Sequence, residues 1–138
     1  MKLTAVSVAW AFAASFYAAG AIGFIPNPLL GPTGLFAANT AHNIVHLLTA
    51  VGFTVVALAG SKASVVFMQA FGVIYALTGV IGFLATGSGG HGYLLGLVHI
   101  NALDNLLHLG LGAAIGIAGL YFHARPASVS PSQGIHEG

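Results

Sequence analysis

Four side chains in this sequence have the types and spacing to hold a metal ion or to relay a proton: His42, His46, Asp104 and His108. They form two pairs at i, i+4, the spacing that puts two ligands on one helix face. Three imidazoles and a carboxylate suit Zn, Cu or Fe as the bound ion. Each pair sits in the same setting, N-x-x-[HD]-N-[IL]-[VL]-H-L, which occupies residues 39–47 and again 101–109. At about 100° per residue, Asn39, His42, Asn43 and His46 fall within an arc of about 100°, and Asn101, Asp104, Asn105 and His108 do likewise. The four asparagines, with Tyr17 and Tyr75, are the expected surrounding residues that orient the ligands.

What must position these groups is a set of membrane helices. The 138 residues include three Lys or Arg and two Asp or Glu, and 57% are hydrophobic. A soluble domain carries about a quarter charged residues, so the expected surroundings are a lipid bilayer. Three basic residues cannot neutralise a phosphate track, which excludes nucleic acid as a partner. The absence of cysteine excludes disulfides, thiolate ligands and thiol catalysis. The Ser and Thr residues show no nucleophile–base spacing with the histidines, and this leans against an enzyme.

A span needs about 20 apolar residues. The segments 3–25, 37–60, 65–86 and 95–122 qualify, separated by clusters rich in Gly, Pro and Ser. The first is longer than the core of a signal peptide and is read as a true span. The expected fold is an all-α, polytopic transmembrane four-helix bundle in residues 1–124. Residues 125–138, rich in Ser, Pro and Gly, read as a disordered cytoplasmic tail.

The bundle reads as a duplicated helical hairpin. A G-x-I-G-F-[IL] block at 20–25 recurs at 79–84, ahead of the two polar motifs. Repeats 1–60 and 61–124 would then be parallel, related by an axis along the membrane normal. Lys2, Lys62 and Arg125 all fall on one side of a four-span topology. By the positive-inside rule both termini are cytoplasmic, in a cell inner (plasma) membrane.

The motifs N-x-x-H-N-x-x-H-L and D-N-x-x-H-L, with G-x-x-G-F before the first outer loop, resemble a bacterial four-span membrane family described only as a domain of unknown function. The resemblance covers the spans and not the tail. It implies topology and no mechanism.

Ionisable groups inside a membrane mark a functional site by default. The sharpest reading is an intramembrane metal site on His42, His46, Asp104 and His108. The alternative is a polar staple, in which the asparagines bond across the axis and Asp104 pairs with His42. Behind these stand a b-type haem between His46 and His108, and a quinone or proton pathway. So small a bundle also leaves room for a homo-oligomer or a membrane-protein partner. Trp10 reads as a packing or interface aromatic, His91 as a loop residue and His123 as a helix-end cap.

Overall fold

The computed structural model describes residues 3–87 and 90–124. Lys2, Arg125 and the tail to which disorder was assigned lie outside them. Four helices carry the fold: α1 (Ala5–Ile22), α2 (Thr40–Ala59), α3 (Ser61–Thr86) and α4 (Ala102–His123). All four are long and apolar enough to cross a membrane. The chain is therefore an all-α bundle of four candidate transmembrane helices.

Two pairs of short strands lie on the side where α2 and α4 begin. β1 (Leu30–Gly31) and β2 (Phe36–Ala37) pair in parallel, while β3 (His91–Leu94) and β4 (Val98–Asn101) form an antiparallel hairpin. On the other side a single residue, Gly60 at φ 104°, joins α2 to α3. Only glycine adopts that angle without a steric penalty, so the chain reverses there within one residue.

Several boundaries differ from the hydropathy reading. Residues 61–64, expected as a loop, are the first turn of α3. The helices after the strand-bearing loops start at Thr40 and Ala102, where the apolar runs suggested 37 and 95. The difference is largest before α4. Residues 93–98 are as apolar as a span, yet they turn back at Leu95 (φ 52°) and Gly96 (φ 73°) to make a hairpin. Two successive positive φ angles are the signature of a type I′ turn, whose twist matches paired strands.

Within each hairpin of helices the backbones approach closely at small residues. Ala5, Ala9, Ala13 and Gly20 make the buried stripe of α1. On α3 and α4, a Cβ added at Gly72 would come within 2.6 Å of the Gly116 Cα. Such contacts are how membrane helices gain dispersion energy without a hydrophobic drive between them. Between the hairpins lies an aromatic core: Phe16 stacks on Phe53 and meets Phe71 and Tyr75 edge-on. The histidines sit at the end of this core nearest the strands.

Candidate functional site

Asn39 and Asn101 hold the first turns of α2 and α4. Asn39 Oδ1 accepts from His42 N at 3.0 Å, and Asn101 Oδ1 accepts from Asp104 N at 3.0 Å. These are N-caps, the preferred use of asparagine where a helix starts. Asp104 completes the second cap by accepting from Asn101 N through Oδ2 at 2.8 Å. The N-x-x-[HD] half of each motif is thus a helix start as well as a polar face. A carboxylate in the first turn also suits the positive end of the helix dipole.

The same residues tie each strand-bearing loop to the opposite hairpin. Asn39 Nδ2 donates to the Leu97 carbonyl at 2.8 Å, and Asn101 Nδ2 donates to the Leu35 carbonyl at 3.0 Å. His42 Nδ1 lies 3.0 Å from the Ala37 carbonyl and 2.9 Å from that of His99. Asp104 Oδ2 accepts from Ala37 N at 2.8 Å. His42 and Asp104, one expected to pair with the other, are instead each bound to main chain. Imidazole serves a carbonyl and carboxylate serves an amide, so the difference between the two motifs at this position follows from the main-chain group each one meets.

Three imidazoles gather beneath these loops. The His42 ring stacks on His46 with centroids 4.7 Å apart, and on His108 at 5.9 Å. Tyr75 packs against His108 at 4.7 Å, and Phe16 against His46 at 5.6 Å. His108 Nδ1 is 2.6 Å from the Asp104 carbonyl. Carbonyls only accept, so Nδ1 carries the proton in both His42 and His108. In the neutral ring that leaves each Nε2 with a free lone pair. His46 Nδ1 is buried and has no hydrogen-bond partner among the described residues.

Other residues expected around the site lie elsewhere. Asn43 and Asn105 face their own hairpins: a Cβ at Gly23 would overlap the Asn43 amide, and one at Gly82 would overlap that of Asn105. Asn105 Nδ2 donates to Thr86 Oγ1 at 3.1 Å, and its buried Oδ1 has no partner among the described residues. Backbone carbonyls, not asparagines, orient the His42 and His108 rings. Tyr17 is 38% exposed and reaches Thr54 on α2 rather than the cluster. His99 belongs to β4, where it contributes its carbonyl to His42 and its ring to contacts with His91 and Tyr93. The sequence signal for it was Gly96, which marks a turn just before.

A cavity of about 260 Å³ opens beside the cluster between α1 and α4. Its walls include Phe12, Phe16, Phe36 and Leu111, and its polar end is His42, His46, Tyr75, Asp104 and His108. A second, of about 240 Å³, reaches His42, His46, Tyr75 and His108 from between α2 and α3. Among the described residues no group of three or more His, Asp or Glu side chains is arranged to hold a metal ion. Stacked rings explain this, because their lone pairs run side by side while a metal needs them to converge at about 2.0–2.1 Å.

Neither a curated protein nor a solved structure matches the chain. A family model, Domain of unknown function (DUF4383), matches residues 6–122, from near the start of α1 to the end of α4. The match takes in all the helices that build the site, and the chain belongs to that family.

Proposed function

We propose that this protein binds a small molecule inside the membrane, at the cluster formed by His42, His46, His108 and Tyr75. The observation that carries the reading is the fixed tautomer of two imidazoles at the polar end of an apolar cavity. Carbonyl groups hold the Nδ1 atoms of His42 and His108, and neither Nε2 has a hydrogen-bond partner among the described residues. Both histidines line that cavity, and ligand pockets set a few polar groups at the end of an apolar space, so two acceptors there are matched best by a ligand that donates. Asp104 serves this site indirectly, by fixing the first turn of α4 and offering its carbonyl to His108.

A transition metal on His42, His46, Asp104 and His108 is the second reading. What favours it is the same Nδ1–carbonyl anchoring, which commonly accompanies metal-bound histidine. It requires the three rings to rotate out of their stack. We also infer that the two helical hairpins are parallel repeats: the bonds Asn39 to Leu97 and Asn101 to Leu35 join positions that correspond at one offset in both motifs. In this reading the domain lies in the inner (plasma) membrane with both termini cytoplasmic and the strands outside.

Mass spectrometry of a solvent extract, with elemental analysis, tests the assignment on protein purified in mild detergent. The expected result is one organic molecule per chain, lost in His42→Ala and His108→Ala. A stoichiometric metal ion would establish the second reading. Protein that carries neither, and binds neither when they are supplied, would leave the cluster as a structural staple.

A further inference from the structure

We propose that the ligand is a lipid-borne molecule with a hydroxyl-bearing aromatic head, of the hydroquinone class, which reaches the histidines sideways from the bilayer. The inference rests on the site reading above and adds a ligand class and a route.

The route follows from what covers the cluster. On its outer side, β2 and β4 cross the helix starts and are pinned by the bonds from Asn39, His42, Asn101 and Asp104. Ala37, Ala38 and Ile100 in this cover are buried. The flanks are open instead. The first cavity extends from the histidines to Ser15, which is exposed on α1, and to Leu107, which is 48% exposed on α4. These residues lie within α1 and α4, both long and apolar enough to cross a membrane, and in that setting the opening faces lipid rather than water.

The ligand class follows from the donor and acceptor inventory. Nε2 of His42 and of His108 can only accept in the neutral ring, so the head group must donate. A hydroxyl donates one hydrogen, to the Nε2 of either histidine, and its oxygen can still accept. A quinone carbonyl, an ether or an ester donates none. The walls select the rest of the head: Phe12, Phe16, Phe36 and Tyr75 line the cavity, and aromatic contacts to a planar ring add to simple burial. An apolar tail would leave by the same opening along Leu107.

The test uses the full chain in lipid nanodiscs and 2-decyl-1,4-hydroquinone under anaerobic conditions. Its dimethyl ether and the oxidised quinone are comparators, and 1-dodecanol is the non-aromatic control. The hydroquinone is expected to shift the imidazole ¹⁵N resonances of His42 and His108, and to bind at least about tenfold more tightly than the ether or the quinone. Leu107→Trp, which narrows the opening, is expected to slow association severalfold. Equal affinity for the ether or the quinone would overturn the ligand class. Dodecanol shifting the histidine nitrogens while the hydroquinone does not would overturn the aromatic head and leave the site reading standing. No shift with any probe would remove both. An association rate unchanged in Leu107→Trp would overturn the lateral route.

Discussion

His42 and Asp104 are joined through one residue, Ala37, whose carbonyl faces His42 Nδ1 at 3.0 Å and whose amide donates to Asp104 Oδ2 at 2.8 Å. An acid and a base that look like an ion pair in sequence thus share a peptide segment rather than a proton. The arrangement locks the first outer loop against both α2 and α4. It also leaves the Nε2 edge of His42 free.

Removing Asp104 therefore has a structural effect separable from any effect on a ligand. Asp104→Ala strips an acceptor from the Ala37 and Asn101 amides and is expected to cost about 2–6 kcal/mol, at about 1–3 kcal/mol for each buried donor left unmet. Asp104→Asn retains one carbonyl oxygen and should cost less than half as much. Thermal unfolding in detergent measures both. Equal losses would mean that the carboxylate charge, not its acceptor oxygen, matters to the fold.

Asn39 and Asn101 should behave as equivalents. Each caps a helix, a contribution of about 1 kcal/mol, and each donates to the opposite loop. Asn39→Ala and Asn101→Ala are expected to lower the melting temperature by similar amounts. Because their loops lie together over one site, the double mutant should lose less than the sum. Strict additivity would show that the two loops are held independently.

Gly23 and Gly82 test the packing beneath the outer loops. A methyl at either one overlaps an asparagine amide, and Gly23→Ala or Gly82→Ala should destabilise by about 1–3 kcal/mol, as overpacking does. Gly110 on α4 has nothing within 4 Å of an added Cβ. Gly110→Ala is expected to be neutral or stabilising by up to about 1 kcal/mol, through helix propensity alone. Similar melting temperatures for all three variants would contradict the close approach.

The β3–β4 hairpin should loosen in acid. Burial, then the charges of His91 and His42, hold His99 below its ordinary value of 6.5. A base whose folded value is depressed binds more protons when unfolded, so stability rises with pH across the window between the two values. It is full above pH 6.5 and is lost as pH falls toward the depressed folded value. Hydrogen exchange of the hairpin amides at pH 7.5 and 5 should show this loss, and His99→Gln should flatten it while keeping the backbone bonds to Asn39 and His42.

Orientation has a direct test. A reporter placed beside Lys62, next to the Gly60 turn, should report cytoplasm, and one inserted at Gly96 should report the outside. The reverse pattern would invert the proposed topology and leave the bundle unchanged.

Sequence by itself determined the four helices, because a span is a local property: about 20 apolar residues must satisfy their own backbone in lipid whatever surrounds them. It also marked the two polar motifs, since His42, His46, Asp104 and His108 stand out against apolar neighbours. The pattern N-x-x-D was a legible helix start, yet the ligand-like spacing of the same residues drew the reading toward a metal. Tertiary structure decided the rest. Residues 93–98 are apolar enough to belong to a helix, and only pairing with β4 and the positive φ angles at Leu95 and Gly96 make them a hairpin. Whether Asn43 faced a histidine or a glycine depended on how α1 packs on α2, which the periodicity of α2 alone cannot encode. The stacking of three imidazoles depended on main-chain carbonyls from residues 37, 99 and 104. Their positions follow from the closed bundle and from no single segment.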